Sequence, residues 1–179
     1  EFSAIDLAFD LVGRFGARFP RAFVDDWIGV GADEAMHFAL LDRRLHALGA
    51  GYGDLPAHAG LWDAAASTAA DPLARLAVVP TVLAARGPDV TPATVAALER
   101  AGDLRSAAIL ARIYRDEIRH VAAGMKWFRY GCESAQQEPL TLWHSLVRRH
   151  FRGMLKPPFN DSARAEAGLS REFYLGIAD

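Results

Sequence analysis

The same pattern occurs twice in this chain, as Asp33-Glu34-Ala35-Met36-His37 and as Asp116-Glu117-Ile118-Arg119-His120. Each copy lies inside a long run of helical periodicity. Residues three apart share a helix face, so each Glu and its His project together. The first pair interrupts the apolar stripe Trp27, Val30, Glu34, His37, Leu41, Leu48. The second interrupts Leu110, Ile113, Glu117, His120, Gly124, Trp127. Such stripes face a core, where a carboxylate is costly unless it is paired or binds a metal. Two pairs on separate helices offset that cost by sharing ions. The chain must therefore bring two long helices side by side in its interior.

The remaining periodicity supplies partners for those helices. Residues 2–16 read as one helix and 21–48 as a second, with Pro20 at its start and Gly49, Gly51 and Gly53 stopping it. Residues 50–70 read as an ordered crossover with one short helix. Asp71-Pro72 caps and starts a helix to about Arg86, bent at Pro80. Gly87-Pro88 is expected to end it, and Thr91-Pro92 to start a short helix to about Ala101. Asp103 then caps a long helix to about Tyr130, and helices follow near 139–153 and 169–177. Two helix pairs joined by one long connection predict an all-α, ferritin-like four-helix bundle with extra C-terminal helices. The expected division is a bundle over 1–137 and an extension over 138–179 that packs on it.

Composition excludes several classes. With 20 basic and 22 acidic residues in 179, the net charge of −2 gives no strong bias toward a nucleic-acid or acidic-lipid partner. Arg148, Arg149, His150, Arg152 and Lys156 read as a solvated basic face, with phosphate or RNA binding as the alternative. No apolar run is long enough for a membrane span. A lone cysteine, Cys132, excludes a disulfide framework and points to a reducing, cytoplasmic setting, where it reads as a packed thiol. The first residue is Glu1 rather than Met, so a longer natural chain is expected. A homo-oligomer is left open.

A full two-metal site of this design takes a carboxylate from each of the other two helices. Glu1 lies 33 residues before Glu34, with the turn near residues 17–18 midway, so an antiparallel hairpin brings it level. The same count back from Glu117 reaches Ala84, which carries no ligand. Glu1, Glu34, His37, Glu117 and His120 are therefore the candidate metal ligands. Asp33 and Asp116 stand four residues before each His and are expected to hold the imidazole of the neighbouring helix. Tyr114 reads as a hydroxyl in the core or near the site, with a redox or proton-transfer role as the alternative. His58 reads as a loop residue or one at a pocket mouth.

The chain also resembles a known family. The runs Asp33 to Phe38, Tyr52-Gly53-Asp54-Leu55-Pro56-Ala57-His58, Leu73 to Val79, Ala85-Arg86-Gly87, Asp89-Val90-Thr91-Pro92, Asp116 to Val121 and Pro158-Phe159-Asn160 with Ala163-Arg164 resemble the ferritin-like family defined as domain of unknown function 455. The resemblance covers almost the whole chain. It implies a ferritin-like bundle, the ligand set just named and an additional N-terminal region. It also implies Glu at position 84, His at 80 and Arg at 36, where this chain has Ala84, Pro80 and Met36. Its distant relatives include di-iron hydroxylases acting on tRNA, an analogy of fold rather than of function.

Together these readings lead to a metal-binding protein carrying one or two Fe ions, or Mn. It is expected to work as a non-haem iron oxidoreductase with O2 on a small molecule. The alternative is a ferritin-like scaffold that has lost catalysis and binds a partner or small molecule.

Overall fold

The computed structural model describes residues 1–57 and 59–178; the role considered for His58 lies outside them. All of the regular structure among these residues is helical. Helix α1 (Phe2–Phe15) returns through a 3-10 turn at Gly16–Arg18 into α2 (Arg21–Ala47). The crossover carries α3 (Gly60–Ser67). Helix α4 (Pro72–Val78) runs through a π turn at Val79–Leu83 into α5 (Arg86–Arg100), and α6 (Leu104–Ser134) completes the bundle. Helices α7 (Pro139–His150), α8 (Asp161–Glu166) and α9 (Arg171–Leu175) follow. This is the all-α ferritin-like bundle with a crossover and C-terminal helices that the periodicity predicts.

The caps are where the sequence places them. Asp71 accepts from the backbone N–H of Leu73 and Ala74, with Pro72 at the first helical position. Asp103 accepts from Ser106 N–H at 3.0 Å. The prolines of the fourth element behave differently from expectation. Gly87-Pro88 does not stop a helix but lies in the first turn of α5, where a missing N–H costs nothing. Pro92 lies inside α5 rather than at its start. The helical partner it cannot supply leaves the Pro88 carbonyl free, and Asn160 Nδ2 donates to that oxygen at 3.1 Å. Asn160 also caps α8, a helix for which the sequence reading makes no assignment.

Pro80 bends its element by widening one turn to π geometry, as an interrupted helical ladder does. That turn is clamped from two sides. A Cβ built on Gly124 of α6 would lie 2.6 Å from Pro80 Cβ, so only glycine admits the ring. One heptad further along, Gly131 receives Leu73 in the same way. From the other side, the indole N–H of buried Trp143 on α7 donates to Thr81 Oγ1 at 2.8 Å, and that hydroxyl donates to the Ala77 carbonyl. Trp143, Leu146, Val147, Leu169, Phe173 and Tyr174 share one apolar core with Phe15, Phe23, Trp27, Met125 and Phe128 of the bundle.

An ion pair with a buried arginine and a half-buried aspartate ties the crossover to the first hairpin. The guanidinium of Arg75 donates to Asp10 Oδ2 at 2.7 Å, Thr68 Oγ1 at 2.8 Å and the Ala65 carbonyl at 2.7 Å. Helices α1, α3 and α4 are thereby held around one charge. Removing Asp10 would leave that charge uncompensated. Two substitutions test these contacts by urea unfolding. Asp10→Ala is expected to cost roughly 3–5 kcal/mol. Gly124→Ala is expected to cost roughly 1–3 kcal/mol by overpacking against Pro80. Unchanged midpoints would show that neither contact supports the bundle.

Candidate metal centre

Three helices converge on one point in the core. Glu1 stands at the N-terminus of α1, Glu34 and His37 lie midway along α2, and Glu117 and His120 lie midway along α6. His37 Nδ1 is 3.7 Å from Glu1 Oε2, 3.6 Å from Glu34 Oε2 and 3.8 Å from Glu117 Oε1. His120 Nδ1 is 3.0 Å from Glu34 Oε1 and 3.5 Å from Glu117 Oε1. Glu34 thus turns one oxygen toward each imidazole. Ligand atoms of Glu1, Glu34, His37 and Glu117 all lie within 4.8 Å of one another, and His120 closes the far side of the same carboxylates.

The outer nitrogens of the two rings are held crosswise. His37 Nε2 meets Asp116 Oδ2 of α6 at 3.1 Å, and His120 Nε2 meets Asp33 Oδ2 of α2 at 3.3 Å. Each Asp therefore serves the His of the opposite helix, as its place in the motif predicts. An Nε2–H donated to a carboxylate leaves the Nδ1 lone pair pointing inward. Two arginines complete this outer layer. Arg119 bridges Asp116 and Asp33, the latter at 3.2 Å. Arg112 donates to Asp116 Oδ2 at 2.7 Å and lies 3.6 Å from Met36 Sδ. The sequence reading passes over both arginines. Their signal is the helical spacing to Asp116, three residues after and four before it. Arg112 places a guanidinium beside Met36, the position that corresponds to Arg119 in the other copy of the motif.

The electrostatics show what such a cluster costs. Burial raises the pKa of Glu117 and of Glu1 above the usual carboxylate range. Burial acts on Glu34 in the same sense, but the facing imidazoles of His120 and His37 and the Glu1 carboxyl outweigh it and hold Glu34 far below that range. Burial also disfavours charge on the imidazoles. For His37 the neighbouring carboxylates of Glu1, Glu34 and Asp116 prevail, and for His120 those of Glu117 and Glu34; both are pushed up to about 10. Protons thus balance the carboxylates wherever a cation does not.

The donor set fits a metal ion. Among the described residues, His37 Nδ1, His120 Nδ1 and Glu34 Oε2 are buried without a well-formed hydrogen bond, and all three face the cluster. Leaving buried polar atoms unsatisfied is costly. One or two divalent ions would satisfy them, and nitrogen and oxygen donors of this kind suit Fe, Mn or Zn.

A family model described as "Protein of unknown function (DUF455)" matches residues 1–175. The chain belongs to the DUF455 family. An "Uncharacterized protein" of Haemophilus influenzae (strain ATCC 51907 / DSM 11121 / KW20 / Rd) is 37% identical over 177 residues; the match takes in 96% of this chain and 62% of that protein. The DUF455 chain thus spans about three-fifths of the length of the curated relative it matches. No solved structure matches it.

Other residues singled out in the DUF455 sequence fall away from the cluster. The Tyr114 hydroxyl accepts from Asn160 Nδ2 at 3.1 Å, which ties α6 to the tail. Cys132 is buried, and burial pushes its thiol up to about 11, so it is a packing residue. In the basic face, Arg148 donates to the Gly176 carbonyl and the His150 ring bonds the Ser67 carbonyl. The position opposite Glu117 also needs correcting. The α5–α6 turn lies at Gly102, whose φ is 80°. Residues equally far from that turn meet: Pro80 meets Gly124, and a Cβ on Gly87 would lie 3.8 Å from Glu117 Cγ. Ala84 therefore comes level with His120, not Glu117. The first hairpin is offset in the same way: a Cβ on Gly31 would lie 3.5 Å from Ala8 Cβ and Phe2 packs on Phe38, so Glu1 comes level with His37 and Phe38 rather than with Glu34, and its carboxylate still reaches the cluster.

Two outcomes follow. In chelator-treated protein, the raised imidazole pKa contributes stability that is complete below the ordinary value of 6.5 and is lost as pH rises toward about 10. The melting temperature of metal-free protein should fall across that window, and the slope should flatten in His37→Asn/His120→Asn. A flat profile in the parent would mean that the imidazoles are not held protonated. Asp116→Asn should weaken metal binding about 10–100-fold in a competition titration with a chromogenic chelator. Unchanged affinity would show that Asp116 does not orient His37.

Proposed function

We propose that this DUF455 chain is a non-haem iron oxidoreductase that acts with O2 on a small organic substrate. Glu1, Glu34, His37, Glu117 and His120 would hold one or two Fe ions, with Mn as the other occupant. The observation that supports this most is the set of three buried, unsatisfied donor atoms facing one another across α2 and α6. A bound iron would supply the electron transfer to dioxygen. The protein's own residues do the rest. Asp116 and Asp33 fix the tautomer and direction of the imidazoles. Glu34 offers its two oxygens to the two sides of the site. The apolar residues around it limit access of water. Residues 138–179 would act as an extension of the 1–137 bundle, and the lone buried thiol suits a cytoplasmic location. Among the described residues no helix is long and apolar enough to cross a membrane.

One observation favours a second reading, a scaffold without catalysis. The α4–α5 element brings no carboxylate to the cluster: Gly87 stands beside Glu117, and Ala84 comes level with His120. The His120 side therefore has fewer ligands than the His37 side, which Glu1 completes.

Anaerobic Fe(II) titration with elemental analysis separates the readings. The proposal expects about one tightly held iron per chain or more, with the His37 side filling first, and O2 uptake by the loaded protein. Less than about 0.2 iron per chain after reconstitution would remove the metal from the account. Full occupancy without O2 uptake would favour the scaffold. Ala84→Glu should raise the stoichiometry toward about two, because it returns a carboxylate level with His120. Two equal, tight ions in the unmodified protein, with no gain in Ala84→Glu, would show that nothing is missing there.

A further inference from the structure

Outside the metal cluster, a surface groove between α2 and α6 gathers positive charge. A cavity of about 410 Å³ is lined by Leu40, Arg43 and Arg44 of α2 and by Arg105, Ala108, Ile109 and Arg112 of α6. Four of these seven residues are arginines and none is acidic, although the chain as a whole carries −2. The spacing explains the arrangement. Residues 40, 43 and 44 share one face of α2, and 105, 108, 109 and 112 share one face of α6, so the two helices present their guanidinium groups to a common trough.

The four arginines divide into two kinds. Arg44 is anchored: it donates to Asp103 Oδ1 and to Ser106 Oγ, both at 2.8 Å. Arg112 is anchored on Asp116 at 2.7 Å. Arg43 and Arg105 are exposed and donate to no acceptor among the described residues. Two free guanidinium groups beside two fixed ones repel each other unless an anion enters. The planar fork of arginine matches phosphate oxygens two at a time. The floor between them is apolar: Leu40 and Ile109 line it, and Ala108 leaves room where a longer side chain would fill it. The volume lies within the range of small-molecule sites.

We infer that the α2–α6 groove is a binding site for a phosphorylated small molecule. Arg43 and Arg105 grip its phosphate, Arg44 and Arg112 frame it, and Leu40 and Ile109 receive its carbon skeleton. The site is separate from the metal centre, yet Arg112 joins the two, because it also holds the carboxylate that orients His37. This inference does not depend on which metal, if any, the cluster binds.

Calorimetric titration of the full chain with inorganic phosphate and pyrophosphate tests it. Saturable binding at one site per chain is expected, weaker at higher salt. Arg43→Ala/Arg105→Ala should weaken it at least about tenfold, in line with the loss of charge-assisted bonds. Both side chains are exposed, so this variant is expected to fold, and circular dichroism checks that it does. Arg148→Ala/Arg149→Ala, on the other basic face, should bind as the parent does. Absence of binding, equal binding by the Arg43/Arg105 variant, or loss of binding in the Arg148/Arg149 variant would each overturn the assignment. So would tighter binding of a short single-stranded oligonucleotide than of pyrophosphate through Arg43 and Arg105, which would make the groove a nucleic-acid surface.

Discussion

Three carboxylates and two imidazoles packed between helices are the most expensive thing this bundle buries. Carboxylates at such depth are tolerated only when opposite charge or a cation meets them. Here α2 and α6 meet the cost reciprocally. Each helix carries the aspartate that holds the other's histidine, so neither half of the site is satisfied until both helices are docked in register. Arg119, which reaches both aspartates, closes the circuit from outside. A slip of either helix would leave charged groups facing apolar side chains. The site therefore helps to specify the bundle that contains it.

The rest of the fold serves that register. Glycines on α6 admit Pro80 and Leu73, which sets how closely the fourth element can approach. The π turn at Val79–Leu83 absorbs the proline, and Trp143 of α7 secures the turn through Thr81. The C-terminal helices thus take part in the core that positions the site, and Asn160 and Arg164 bind the start of α5 through Pro88 and Asp89.

The site departs from symmetry in two places. One is the fourth element, where Ala84 and Gly87 supply no carboxylate. The other is Met36, which stands in the first copy of the motif where the second has Arg119. Beside it, Arg112 adds a second guanidinium to Asp116 from one turn away on α6 and rests on Met36 Sδ. The two halves of the centre are thus unequally supplied with ligands, although their aspartate–histidine pairs match.

The sequence by itself determined the helices, their caps at Asp71 and Asp103, the two Glu–His pairs and the crossed roles of Asp33 and Asp116. All of these depend on local periodicity or on spacing within one helix, which a linear pattern records. It also brought Glu1 to the cluster, although the count set it level with Glu34 and the packing of α1 on α2 sets it level with His37. Tertiary structure alone decided the rest. Pro88 and Pro92 looked like a stop and a start, yet α5 runs through both, because Asn160, far along the chain, takes up the carbonyl that Pro92 frees. Ala84 was counted level with Glu117, but the turn at Gly102 sets a different register and puts Gly87 there. The guanidinium of Arg112 and the arginine groove depend on how α2 lies along α6. A periodic pattern tells which face of a helix is buried. It does not carry the axial offset between helices, which packing of side chains distant in sequence decides.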